Sequence, residues 1–138
     1  MTQNLNAYRA AQAYRGAAVT VAPLTAVVML FDGAILSLKR TAEASAAGRF
    51  EEGHGHLMRA TAILRGLSLH LDTRKGGALA ERLFKTYNGL ILASHRAYGR
   101  RDAALRYQKL ILALTELRDA WKSVAAPAGT VAPAALRA

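Results

Sequence analysis

One stretch of the chain carries a repeat that few folds can use. Seven of its residues recur at spacings that alternate strictly between four and three: Ala103, Tyr107, Leu110, Leu114, Leu117, Trp121 and Val124. This spacing puts the side chains on one stripe of an α-helix, and such a stripe is buried when helices pack side by side. Asp102 precedes the stripe and is a good N-cap residue. The repeat therefore predicts a helix inside a bundle.

Three earlier segments show the same helical periodicity, and each is bounded by residues that interrupt helices. The first runs from Pro23 to Gly48, the second from near Phe50 to Asp72-Thr73 and Gly76-Gly77, and the third from Leu79 to Tyr98-Gly99. Short connections make sequential helices neighbours, so we predict an all-α fold, an antiparallel up-and-down four-helix bundle. Asn88-Gly89 lies inside the third segment, where Gly costs about 1 kcal/mol relative to Ala. We expect a kink or a close helix contact there.

The chain of 138 residues is long enough for one hydrophobic core and too short for two. We predict an N-terminal cap segment at residues 1–22, the four-helix bundle at 23–124 and a disordered tail at 125–138, because the tail has two prolines and no periodicity. The N-terminal residues are too polar for a secretory signal, and no stretch approaches membrane-spanning length. We therefore expect a cytoplasmic protein with no membrane insertion.

The formal net charge of +10 needs an explanation, because a basic surface attracts nucleic acid, anionic lipid or acidic protein alike. Most arginines are scattered singly, and the dense pairs are only Lys39-Arg40, Arg74-Lys75 and Arg100-Arg101. The charges indicate either a solvated basic exterior or a dedicated anion-binding face. A basic helical nucleic-acid-binding protein is the alternative function, although no recognition-helix or RNP-type signature is present. A structural subunit of a larger assembly is a third interpretation.

The sequence holds few residues that could carry chemistry. It has no Cys, and it has no phosphate-binding glycine loop or HExxH motif. Glu51, Glu52, His54 and His56 form the strongest candidate metal cluster, but the two histidines would lie about 200° apart on a helix. We interpret the cluster as a polar helix start. We expect no enzymatic activity, no metal, no cofactor and no small-molecule substrate.

Apolar residues exceed what the core stripes need. The surplus consists of Val27, Leu30 and Ala34 in the first segment and Leu90, Ile91 and Leu92 in the third. Leu5 and Tyr8 lie at a helical interval in the N-terminal leader. They either cap the core permanently or lie across a groove until a partner displaces them.

Several stretches between residues 6 and 124 resemble a known family when taken together. They are NAYRAAQ, APLTAVVMLFDGAILSLKRTAEA, HLMRATAILRGLSLHLD, LAERLFKTYNGL and LRDAWKSV, in the order and spacing of the FliS family of flagellar secretion chaperones. The resemblance implies a four-helix bundle that binds the C-terminal helical segment of flagellin. It also implies that the protein prevents premature polymerisation and assists delivery to the flagellar type III export gate, without cofactor or catalysis.

The candidate partner-binding residues are all apolar or aromatic. They are Leu5, Tyr8, Leu24, Val27, Leu30, Phe31, Leu64, Leu67, Tyr87, Leu90, Ile91 and Leu110. By the resemblance, Tyr8 belongs to a cap that vacates a groove, and Trp121 belongs mainly to the core. Gly89 stands where the family commonly has an aromatic residue, and Ser94 stands where an apolar residue is usual.

Overall fold

The computed structural model describes residues 24–125, and they form four α-helices. These are α1 (Leu24–Ala46), α2 (Phe50–Leu69), α3 (Thr73–Ala97) and α4 (Ala103–Ala125). The predicted all-α four-helix bundle is confirmed. The predicted cap segment, including Leu5 and Tyr8, and the predicted tail from residue 126 onward lie outside the described residues. None of the helices in residues 24–125 combines the length and the apolarity needed to cross a membrane.

The helices end close to where the sequence predicts. Gly48 and Gly99 follow the ends of α1 and α3 with φ of 78° and 80°, which is the left-handed conformation that glycine adopts after a helix. The last helix begins directly after Asp102, as predicted. The carboxylate of Asp102 accepts a hydrogen bond from Arg106 Nε at 2.8 Å.

The start of α3 differs from the sequence prediction. Asp72 Oδ1 accepts hydrogen bonds from the backbone N of Arg74 (3.0 Å) and of Lys75 (3.2 Å), so this residue caps a helix that begins before the predicted Leu79. Gly77 then interrupts the helix with φ 58° and ψ −141°. The Gly76-Gly77 signal therefore marks a break within α3, and the helix itself starts at the cap.

The expected kink or close contact at Gly89 is wrong. The backbone of α3 is helical at Gly89, and a Cβ atom added there would have no neighbour within 4 Å. The adjacent Asn88 side chain donates from Nδ2 to the carbonyl of Phe84 at 2.8 Å and to Ser68 Oγ of α2 at 3.3 Å. This glycine leaves open space on the surface of α3.

The helices form a ring in which each packs against the next, and α4 returns to α1. Connections of three to five residues, at 47–49, 70–72 and 98–102, make consecutive helices antiparallel. The contact of α1 with α2 is the most extensive, followed by that of α1 with α4, and α3 and α4 touch least. The bundle is therefore closed on three sides and looser on the fourth.

Four aromatic side chains fill the centre of the core and are completely buried: Phe31, Tyr87, Tyr107 and Trp121. The rings of Phe31 and Tyr87 meet edge to face with centroids 5.9 Å apart. Trp121 Nε1 donates to Tyr87 Oη at 3.2 Å. The Ser94 hydroxyl is buried and donates to the carbonyl of Leu90 at 2.7 Å. The indole of Trp121 and the hydroxyls of Tyr87 and Ser94 are thus hydrogen bonded within the core.

The two glycines of α3 predict opposite responses to alanine. Gly89→Ala is expected to raise the free energy of unfolding by about 0.5–1 kcal/mol, because the site is helical and open and alanine lowers the entropy of the unfolded chain. Gly77→Ala is expected to lower the free energy of unfolding by about 1–2 kcal/mol, because the φ angle of Gly77 is positive and alanine is strained in that conformation. Urea unfolding followed by the fluorescence of the single tryptophan measures both. Equal shifts in the same direction would contradict the assignment.

Candidate functional site

The carboxyl end of α3 determines how α4 is attached to it. The last four carbonyls of a helix lack intrahelical donors, and those of α3 all find other partners. The backbone N of Tyr98 donates to His95 O (3.3 Å). Arg100 donates from Nε to Arg96 O (2.9 Å) and from its backbone N to Ala97 O (3.2 Å). The Tyr107 hydroxyl donates to Ser94 O (2.9 Å). The last of these bonds comes from α4. It fixes the first turns of α4 against the end of α3.

The phenol of Tyr107 is buried as well as hydrogen bonded. Burial, with a smaller contribution from nearby Tyr98, raises the pKa of Tyr107 well above its usual value. The group therefore stays protonated and remains a donor to Ser94 O throughout the physiological range. Further along the interface, the bond from Trp121 to Tyr87 is the second polar link between α4 and α3.

Two hollows lie one after the other between α3 and α4, and together we call them the α3–α4 groove. The hollow next to the α3–α4 connection has a volume of about 510 Å³ and is lined by Gly89, Leu92, Ala93, Arg96, Asp102, Leu105, Arg106, Lys109 and Leu110. The second has a volume of about 470 Å³ and is lined by Leu79, Arg82, Leu83, Lys85, Thr86, Leu90, Ala113, Glu116 and Leu117. Along α4 the lining extends from residue 102 to residue 117, which is about 22 Å at the rise of an α-helix.

The groove combines an apolar floor with exposed leucines. Leu92 on α3 and Leu105 on α4 face each other across the first hollow, and their side chains are 50% and 53% exposed. Gly89 and Ala93 leave room between them because they present little or no side chain. An apolar groove of this length can accept one face of an amphipathic helix of about fifteen residues.

Charged residues form the rim of the groove, and most of them are cations. Arg106 pairs with Asp102, and this hydrogen bond holds the pKa of the Asp102 carboxyl below its ordinary value. Three further cations, Lys85, Arg96 and Lys109, are exposed and have no carboxylate within 4 Å among residues 24–125. On α3 the charged lining residues are all cations, whereas along α4 Arg106 and Lys109 are accompanied by Asp102 and Glu116, so the net positive charge of the rim lies on α3.

The structure divides the candidate partner-binding residues into three groups. Leu90 and Leu110 line the α3–α4 groove. Six others are core side chains: Val27, Phe31, Leu64, Leu67, Tyr87 and Ile91. Leu24 is half-buried against the core, and Leu30 is 44% exposed on α1, outside the groove lining. Helical periodicity selected the residues that hold the bundle together along with a few that face its open side.

The two half-exposed leucines of the groove were not among the residues that the sequence predicted. Leu92 belonged to the consecutive apolar run of the third segment, which signalled surface beyond the core stripe, yet it was not among the candidates. Leu105 lies off the buried stripe of α4, and Leu112 follows it seven residues later on the same helix face, 60% exposed. Apolar pairs at this interval outside the main stripe were the available signal.

Nothing in the described part of the chain is arranged for metal binding. Within residues 24–125, no three His, Cys, Asp or Glu side chains are placed to hold a metal ion. His54 lies beside Tyr98 with ring centroids 6.2 Å apart, and Glu52 pairs with Arg49 at 2.9 Å. The side chains at the start of α2 thus contact other residues of the bundle.

An open apolar groove on a helical bundle is the class of site that can receive a helical segment of another protein. The comparison with protein families agrees with this class: the family model described as "Flagellar protein FliS" matches residues 4–128. The chain belongs to the FliS family, a family of flagellar secretion chaperones that are known to bind flagellin and are not known as enzymes. No curated protein matches the chain.

The buried phenol of Tyr107 predicts a loss of stability at alkaline pH. Its folded-state pKa is raised above the unfolded value of about 10, so its contribution is complete below pH 10 and is lost as the pH rises further. Tyr107→Phe is expected to lower the free energy of unfolding by about 1–3 kcal/mol at pH 7, because Ser94 O loses its donor. The variant is also expected to lose less stability between pH 9 and pH 11 than the parent. Urea unfolding across this pH range measures both effects, and parallel pH profiles would contradict the role of Tyr107.

Proposed function

We propose that the protein is a cytoplasmic export chaperone that binds the C-terminal helical segment of flagellin in the α3–α4 groove. By holding this segment it prevents premature polymerisation, and it assists the delivery of flagellin to the flagellar type III export gate. The FliS family match over residues 4–128 carries the proposal. The open groove supplies a physical site for it.

The dimensions of the groove support binding of a helix rather than of a small molecule. The lining follows α4 for about four turns, and the two hollows together have room for a row of large side chains. A flagellin segment that polymerises through an amphipathic helix has an apolar face of the kind that fits there. While the chaperone covers the apolar face of this flagellin segment, the face is unavailable to another flagellin molecule.

The energetics require a long contact. Completing the burial of a half-exposed leucine contributes about 1 kcal/mol. Ordering a flexible segment into a helix consumes part of the interaction energy. The contact therefore has to extend over several turns and bury apolar side chains of the guest as well as those of the groove.

The N-terminal leader remains our predicted competitor for the groove. The family match begins at residue 4 and therefore includes Leu5 and Tyr8. An apolar segment of the same chain that covers the groove reduces the fraction of protein ready to bind, and so reduces the affinity for a guest. The alternative of a nucleic-acid-binding protein has no support from the family match.

Groove leucines are expected to determine the affinity for flagellin. We expect the double variant Leu92→Gln/Leu105→Gln to bind a labelled C-terminal flagellin peptide at least tenfold more weakly, because about 2 kcal/mol of apolar contact is removed. Fluorescence anisotropy measures the affinity. Glutamine is neutral and favours helices nearly as well as leucine, so neither charge nor helix propensity changes much.

Leu36→Gln is the matched control, because Leu36 is 47% exposed on α1 and lies outside the groove lining. We expect its affinity to stay within twofold of the parent, and circular dichroism checks that all variants are folded. Unchanged binding by the double variant, or an equal loss in the control, would show that the peptide binds elsewhere.

Weakening the leader is expected to strengthen binding. Deletion of residues 1–22, or the full-length variant Leu5→Ser/Tyr8→Ser, should raise the affinity for the same peptide several-fold if the leader competes for the groove. Isothermal titration calorimetry measures the change, and thermal unfolding shows whether the bundle stays intact. A fall in affinity with an intact bundle would mean that the leader contributes contacts to the guest.

A further inference from the structure

Three cations on the groove rim have no carboxylate partner within residues 24–125. Lys85 and Arg96 on α3 and Lys109 on α4 lie at the edges of the apolar floor, and no carboxylate of residues 24–125 comes within 4 Å of them. Two arginines outside the groove are paired with carboxylates. Arg49 meets Glu52, and Arg118 meets both Asp32 and Asp119 at 3.0 Å.

Burial of the groove would change the surroundings of these cations. A helix lying on the apolar floor displaces water from beside the rim, so each rim charge then interacts with the edges of the guest in a medium of lower dielectric constant. Neutral or basic edges would leave the cations poorly solvated or repelled. Acidic edges would give each cation a partner.

We propose that the groove selects helices whose apolar face is flanked by acidic side chains. The proposal deepens the proposed function and rests on it in one respect, namely that the groove receives a helix. It assigns the basic rim as the part of the site that chooses among amphipathic helices. The apolar floor supplies contact to any of them.

Three synthetic helical peptides of about fifteen residues test the selection. They share one apolar face and differ only in the flanking positions, which are Glu, Gln or Lys. Binding to the full-length protein is measured by fluorescence anisotropy at 0.15 M NaCl. We expect the Glu peptide to bind roughly tenfold more tightly than the Gln peptide and the Lys peptide to bind most weakly.

Salt provides a second readout that needs no substitution. At 1 M NaCl the Debye length falls from about 8 Å to about 3 Å, so the three affinities should converge on the value set by the shared apolar face. An affinity order that persists unchanged at 1 M NaCl would overturn the electrostatic assignment. Equal affinities of the three peptides at 0.15 M would overturn it as well.

Charge reversal localises the effect to the rim. We expect Lys85→Glu/Lys109→Glu to invert the order, so that the Lys peptide binds best. The matched control is Lys39→Glu/Lys122→Glu, which makes the same change in net charge at exposed positions outside the groove lining. An inversion in the control as large as in the rim variant would assign the preference to overall charge and overturn the proposal.

Three further outcomes separate this inference from others. If random-sequence duplex DNA displaces the Glu peptide at equal concentration, the cations bind phosphate and the proposal is overturned. If a flagellin peptide binds through Leu92 and Leu105 but is indifferent to the rim charges, the charge selection fails and the proposed function stands. If the Glu peptide depends on the rim while flagellin does not bind, the selection stands and the proposed partner is wrong.

Discussion

Satisfying the carbonyls at the end of α3 is the requirement on which the open side of the bundle depends. Ser94 O faces the core and accepts a hydrogen bond from the hydroxyl of Tyr107 of α4. At this point a hydrogen bond from a phenol connects α3 with α4. The Trp121–Tyr87 bond repeats the arrangement further along. Large aromatic side chains at a helix contact keep the helix axes farther apart than small ones do. The aromatic links thus hold α4 beside α3 at a distance.

The groove follows from that spacing together with the small residues beside it. Gly89, Ala93 and Ala113 lie on the facing surfaces of the two helices, outside the aromatic layer. Small residues usually let helices approach closely. Here the contact between α3 and α4 is the least extensive of the four, and the space beside these small residues forms the two hollows. Gly89 presents no side chain to the first hollow, and this adds to the open space there.

Much of the fold could be predicted from spacing and punctuation, because these are local properties. The stripe from Tyr107 to Trp121 is buried as predicted, and Gly48, Gly99 and Asp102 mark helix ends in the structure. The start of α3 was misplaced because the cap at Asp72 and the break at Gly77 are only one turn apart, and the stronger interruption was taken for the boundary. A sequence pattern cannot easily show which of two neighbouring interruptions starts the helix, because the single turn between them contains too few residues to show a periodicity.

The site was harder to predict, because periodicity identifies the buried face of a helix without showing how tightly each neighbour is packed. Phe31 and Leu64 resembled groove residues in sequence and lie fully in the core, whereas Leu105 lay off the stripe and is exposed at the groove. Which of the four helix contacts stays open depends on the hydrogen bonds between α3 and α4. Those bonds join residues on different helices whose pairing no local pattern specifies. Composition gave the net charge of the chain, but only the packed helices show that Lys85 and Lys109 border the same apolar floor.

An export chaperone has to release its guest as well as hold it, and the site we propose suits both requirements. The floor offers half-exposed leucines whose individual contributions are small, and the rim offers exposed charges that salt or a competing surface can screen. Neither element approaches the strength of a fully buried hot spot, so affinity accumulates over several turns of helix. A guest bound in this way can be displaced turn by turn, each step breaking only a few weak contacts. A deep, enclosed pocket would instead have to open all at once.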